Sequence, residues 1–372
     1  MTTALPETAG KVHEPPPRAA VEPAAPLGRS LLWAASLGLA AIVLWQVLFK
    51  AQVVATGFDN WRPVLYAFLL WAVAVGAAQV LIRGERGKHA LFVLPAVAFT
   101  VAMVIFPTFF GLYLAFMNWN LSSLAGPQFN GLDNLRALLG DAYFWNALRN
   151  MVYYVLFVLV QYAIAFGLAL LLNAEIKARK FFRVAFLLPF MLSPVAVSWM
   201  IGKSLMEYRF GPAATLARHL GWDNPAFFTT PWIARLSIAL MDAWVWIPFI
   251  MILLLAGLQA LPKEVQEAAK VDGASPWQSF WQITFPLMLP VSVTAIVLKV
   301  IFQLKLADIV INVTAGGPGG ATDTVSSFIF REYRDRSNVG YGTMLAEFYL
   351  VIIIIFVTLL LKFVSRFMQR TN

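Results

Sequence analysis

Residues 261–290 read LPKEVQEAAKVDGASPWQSFWQITFPLMLP and lie between two long apolar runs. Glu264 to Ala269 is composed of residues that favour helix. Asp272-Gly273 is a stop and turn signal. Ser275-Pro276 suits the cap and the first position of a second helix. That helix carries Trp277, Phe280, Trp281 and Ile283, and Pro286 and Pro290 are expected to break it before the membrane. The stretch predicts a short helix, a tight glycine turn and a second, amphipathic helix on a membrane surface.

The rest of the chain supplies the membrane. Of 372 residues, 60% are hydrophobic and 13% charged, with mean hydropathy +0.72. Soluble domains run at about 45–50% apolar and about 25% charged. Soluble enzymes, disordered chains and collagen-like chains are thereby excluded. Eight stretches reach the length of about 20 residues that a bilayer core demands. They are Ser30–Phe49, Pro63–Ile82, Ala90–Met117, Asn150–Leu172, Val184–Met206, Leu236–Leu258, Leu287–Leu304 and Met344–Leu361. Each is a continuous apolar run, unlike the alternating segments of an outer-membrane barrel. The fold class is an all-α membrane protein, a polytopic bundle of about eight transmembrane helices.

Basic residues set the orientation. Arg83, Arg86 and Lys88 crowd one short loop, and Lys177, Arg179, Lys180 and Arg183 another. Short basic loops stay inside. Both termini and residues 261–290 are then cytoplasmic. The formal charge of +9 reflects such loops and not nucleic-acid binding. Residues 1–29, rich in proline and alanine, are expected to form a disordered cytoplasmic tail. The apolar run at Ser30–Phe49 exceeds the core of a usual cleaved signal, so it reads as a retained anchor. The expected organisation is a tail at 1–29, two N-terminal helices at 30–82 and a core domain at 83–372.

EAAKVDGASPWQSFWQITFPLMLP resembles the EAA signature of permease subunits in binding-protein-dependent ABC importers, and more narrowly the carbohydrate permeases of the maltose-transporter larger-subunit type. The matching positions are Glu267, Ala268, Ala269, Asp272, Gly273, Ala274, Phe280, Ile283, Pro286 and Pro290. Residues 130–150, 187–200, 304–330 and 339–346 resemble other segments of that family. The large outer domain that the maltose-type subunit carries after its third span is absent. The resemblance implies a type I importer permease fold in the bacterial inner (cytoplasmic) membrane, crossing it many times. It implies a coupling role for Glu267, Ala268, Ala269, Asp272 and Gly273. It further implies a second homologous permease, two ATP-binding subunits and an extracytoplasmic solute-binding protein that docks on the outer loops, including 316–336. No cofactor is expected in this chain; ATP and Mg belong to the partner ATPase.

Nothing in the sequence supplies the energy or a catalyst. A phosphate-binding loop needs a glycine, four residues, then Gly-Lys-Ser/Thr. Before Gly202-Lys203-Ser204 the required glycine position is Val197. Gly316–Gly320 lacks the lysine and reads as a flexible outer turn. With no cysteine and with His13, His89 and His219 far apart, no metal site is expected. A gradient-driven secondary transporter is the alternative, but no inverted repeat is visible. A non-transporting scaffold is the other, and it leaves the EAA-like loop unexplained.

Polar residues inside spans point to function. Span seven holds Lys299, Gln303, Lys305 and Asp308, and span six holds Asp242, Trp244, Trp246 and Phe249. Lys305 and Asp308, three apart, are expected to pair. Lys299 is expected either to pair with Asp242 or to meet an anionic sugar. Aromatic faces with a few hydrogen-bonding groups suit a carbohydrate. The pathway candidates are Ser193, Trp246, Phe249, Lys299 and Gln303.

Overall fold

A computed structural model describes residues 25–174 and 177–371. The expected tail lies outside the described residues up to position 24, and the first helix already begins at Ala25. Among the described residues, seven helices are long and apolar enough to cross a membrane. Arg179–Met191 and Pro194–Leu205 are together long and apolar enough and are bent by 95° at their junction; counted as one broken span, they bring the number to eight. The eight expected spans each fall on one of these elements.

The contacts divide the chain between Phe109 and Phe110 into two compact units, not at 82–83. In the first unit, Ala25–Lys50, Arg62–Arg83 and Glu85–Thr100 are successive helices. Gly84, at φ +56°, makes the reversal between the last two, a conformation open mainly to glycine. Buried Gln46 holds the first turn by two hydrogen bonds to the backbone of Phe58, at 2.9 and 3.1 Å. The third span therefore folds back on the second and joins this unit, which moves the division into that span.

The second unit is built around span four, Ala142–Asn173. Its N-terminus is capped by Asp141, whose carboxylate accepts from the Tyr143 amide at 2.8 Å. Along it Ala147, Met151, Tyr154, Val158, Gln161, Ala165, Ala169 and Leu172 are buried. That recurrence every three or four residues is one face of a helix. Around it lie span six (Pro231–Ala260), span seven (Pro276–Gln303) and span eight (Val339–Thr371).

One span carries a bend, and one expectation about chain direction is corrected. Span five is not a straight helix. Leu192 and Ser193 are extended, with ψ of 143° and 145°. A proline disfavours helical backbone in the residue before it, and Pro194 follows Ser193. Span seven, conversely, is not interrupted at Pro286 and Pro290. It runs as one 28-residue helix from Pro276, so the expected separate amphipathic helix is the start of the span. A wider π turn at Phe280–Thr284 sits directly before Pro286, which relieves the crowding a proline ring imposes on the preceding turn.

The glycine-rich outer turn is also corrected, because the structure knits it to the bundle. Asn146 and Asn150 donate to the Gly320 carbonyl at 2.7 and 2.9 Å. Asn150 also donates to the Asp323 carbonyl at 2.9 Å. Arg235 donates to the Ala321 carbonyl at 2.7 Å and to Asn150 Oδ1 at 3.1 Å. The Asp323 carboxylate, buried, meets Ser327 at 2.6 Å and the Arg331 guanidinium. Burial pushes its carboxyl above the usual range, against the pull of Ser327 and Arg331. Asn150→Ala removes two anchoring hydrogen bonds and takes the donor from the Asp323 carbonyl, while Asn146 still donates to Gly320. The assembled complex is expected to lose about 1–3 kcal/mol of stability, read as a lowered melting midpoint in detergent.

Candidate functional site

Two regions carry the candidate residues. The first is the coupling loop. Lys263–Val271 is helical, as its composition predicts. It ends with three backbone hydrogen bonds: Asp272 N to Ala268 O, Gly273 N to Lys270 O and Ala274 N to Ala269 O. The 6→1 and 5→2 pair among them is a Schellman end. Gly273 takes the left-handed conformation that this end requires, at φ +77°, and no atom would meet a Cβ there. Ser275 and Gln278 then cap the next helix reciprocally, as the Ser-Pro signal foretold.

Exposure sorts the loop residues. Glu267, Ala268, Asp272 and Gly273 are exposed, whereas Ala269 is buried. Beside them Val271 and Trp277 are 87% and 71% exposed. The loop thus presents a carboxylate among apolar surface, which is the chemistry of a protein contact. On its inner side Phe280 and Phe285 pack on Phe166 of span four, with ring centroids 5.6 and 6.1 Å apart. These ring contacts join the loop to span four.

The second region joins spans four to seven. Lys299 Nζ lies 2.8 Å from Asp242 Oδ2, and both side chains are buried. Gln161 Nε2 donates to the same carboxylate oxygen at 2.8 Å. Gln303 Oε1 accepts from Lys299. The ammonium also sits 4.7 Å from the centroid of the Trp246 ring. Trp246 stacks on Phe302 at 4.7 Å. Phe249 and Phe190 meet the indole at steep angles, 5.8 and 5.6 Å away. All four rings keep part of their surface open.

Of the two expectations for Lys299, the structure shows the Asp242 pair. Lys299 and Gln303 stand behind the aromatic wall, not on it. Trp246 and Phe249 form the wall. Ser193 lies exposed at the break of span five, and its hydroxyl accepts from the Ala196 amide at 3.2 Å. Trp244 is exposed elsewhere on the helix. Lys305 and Asp308 do not pair, a correction with a simple cause: the helix ends at Gln303, so their helical spacing no longer applies. Gln161 was legible as a polar residue inside an apolar span. Phe190 and Phe302 were not, because phenylalanines are common throughout a chain with 30 of them.

Breaking a buried pair strands a charge, which costs about 3–5 kcal/mol, whereas removing both partners is often nearly neutral. Lys299→Met is therefore expected to abolish or severely lower recovery of the folded complex. Combining it with Asp242→Asn is expected to restore most of the thermal stability, read by size-exclusion profile and melting midpoint.

Comparison with known proteins places this geometry. The family described as binding-protein-dependent transport system inner membrane component matches residues 148–371. A sulfoquinovosyl glycerol transport permease of Agrobacterium fabrum is 31% identical, over 71% of this chain and 85% of its own. A trehalose/maltose transport permease of Thermococcus litoralis is 31% identical, over 74% of this chain and 93% of its own. The crystal structure of a bacterial alginate ABC transporter, bound to its alginate-loaded periplasmic protein, contains a chain of the same fold. Its TM-score is 0.62 at 22% identity, over 82% of this chain and 96% of that one. The gradient-driven and scaffold alternatives are not favoured. The chain belongs to the inner-membrane permease components of binding-protein-dependent ABC importers, and it is a transport subunit, not an enzyme.

Proposed function

We propose that this chain moves a sugar, polyol or small oligosaccharide into the cell by alternating access. The observation that carries the sugar reading is the open aromatic wall of Trp246, Phe249, Phe302 and Phe190. Stacked and edge-on rings suit the apolar faces of a sugar, and polar groups nearby suit its hydroxyls. The relatives named for sugar and glycoside transport agree with it. Ser193, at the bend of span five, is the candidate hydrogen-bonding group on the route. Lys299 and Gln303 contribute from behind the wall.

The route is completed by a second, homologous permease against the open face. Two ATP-binding subunits, holding ATP and Mg, receive Glu267, Ala268, Ala269, Asp272 and Gly273 from the cytoplasmic side. A basic group of the ATPase meets Glu267. Closure of the ATPase pair pushes the loop, and the Phe166–Phe280–Phe285 contact carries the push into spans four and seven. An extracytoplasmic binding protein delivers the solute to the outer face, where the pinned turn at 316–324 offers a preformed surface. Lipid surrounds the remaining apolar faces.

The test is ATP hydrolysis by the copurified complex with and without sugar-loaded binding protein. Wild type is expected to be stimulated. Gly273→Asp forces a side chain into left-handed backbone, a strain of about 1–2 kcal/mol, and adds charge at the docking face. It is expected to abolish the stimulation while the complex still assembles. Unaltered stimulation in the variant sinks the coupling role, and absence of stimulation by any loaded sugar sinks the sugar reading.

A further inference from the structure

The proposed route needs an aromatic wall but not, in itself, an acid and a base behind it. A charge inside a span is costly and calls for a reason. Three features of the Asp242–Lys299 pair identify one.

The ammonium has no donor to spare. Its three N–H groups face Asp242 Oδ2, Gln303 Oε1 and the ring of Trp246. Asp242 is fixed in turn by Gln161. Lys299 is 0% exposed, so no solute at the open wall reaches it.

The indole, by contrast, is partly open and is held from behind. A cation near a tryptophan face is attracted by the ring quadrupole, most strongly where water is excluded. Phe302 stacks on the same indole with an interplanar angle of 29°. The cation and the phenyl ring together fix one orientation of Trp246.

Most other cations of these spans are engaged or outlying. Lys203 donates to the Val313 carbonyl at 3.0 Å, and Arg235 donates to the outer turn. Arg179, Lys180 and Arg183 lie at the far, cytoplasmic end of span five, and Glu347 in span eight adds an acid. Lys305, exposed just past the end of span seven and three residues after Phe302, has no ion-pair partner among the described residues, whereas Lys299 is buried and offers no charge to a solute at the wall.

We propose that Asp242 and Lys299 are positioning residues that hold Trp246 as the stacking platform for a sugar ring, and that Lys299 does not itself read an anionic group. The inference rests on the sugar reading above. Gln161 belongs to the same device, because it fixes the carboxylate that fixes the lysine.

The experiment has two readouts on the full complex. The first needs no solute. The chain is labelled with 5-fluorotryptophan, and the Trp246 resonance is assigned by its loss in Trp246→Phe. Wild type is expected to give one narrow fluorine line for Trp246. Asp242→Asn with Lys299→Met is expected to give a broadened line or several. A single narrow line in the double variant overturns the positioning role. Gln161→Leu, which leaves the ion pair in place, is a second variant that should broaden the line to a lesser degree, and it serves if the double variant does not assemble.

The second readout is uptake into proteoliposomes with binding protein, using maltose and trehalose against galacturonate and glycerol 3-phosphate. The ratio of acidic to neutral uptake is expected to be the same in wild type and in the double variant, because Lys299 reads no anionic group. In the double variant KM is expected to rise about tenfold, the order of a desolvated cation–π contact, with the loss falling on KM and not on the maximal rate. A selective loss of acidic-solute uptake in the double variant, or a folded double variant with unchanged KM, overturns the proposal. Uptake of none of the four counts against the sugar reading, while the fluorine line still decides whether the pair positions Trp246.

Discussion

A buried charge among apolar helices must be answered within the chain, and Lys299 is answered from three spans at once. Asp242 comes from span six, Gln161 from span four through that carboxylate, and Gln303 from span seven itself. In a membrane interior no water is available to substitute for any of them. The pair thus fixes the relative rotation of the helices that carry the aromatic wall. It also explains the uneven surface of this unit: a dry polar knot inside, and open rings directly outside it.

The same rule of internal satisfaction shapes the outer turn and the coupling loop. At the outer end, the carbonyls of Gly320, Ala321 and Asp323 are met by Asn146, Asn150 and Arg235, so a glycine-rich segment becomes a fixed surface. At the cytoplasmic end, the last carbonyls of Lys263–Val271 are met by the amides of residues 272–274. This leaves the side chains of Glu267 and Asp272 free to face a partner. The break in span five follows the rule as well, because Ser193 caps the helix that restarts after the 95° bend. Function sits where the chain has closed its own hydrogen bonds and left particular side chains outward.

Much of this was legible in the sequence. Eight apolar runs gave the spans, and the Asp-Gly and Ser-Pro pairs gave the ends of two helices correctly. The family followed from the EAA-like segment, a pattern too long to arise from one structural need. What was not legible depended on neighbours far along the chain. Pro286 and Pro290 signal a break in isolation, yet a π turn lets the helix continue through them. Gly316–Gly320 signals looseness, yet residues some 170 positions away hold it. Lys305 and Asp308 are spaced to pair on a helix that has already ended. The side chains that complete the wall, Phe190 and Phe302, belong to the commonest aromatic type in the chain and carry no signal without coordinates.

The central claim is that residues 267–273 receive the ATP-binding subunits. The chain has no cysteine, so Glu267→Cys introduces a unique attachment point. A short bifunctional thiol-to-amine cross-linker on that variant, in the copurified complex, is the most direct test. The account predicts a covalent adduct with the ATP-binding subunit whose yield changes on adding nucleotide, and no such adduct from Gly319→Cys on the outer turn. Equal labelling of the ATPase from both positions, or none from Glu267→Cys in an intact complex, would contradict it.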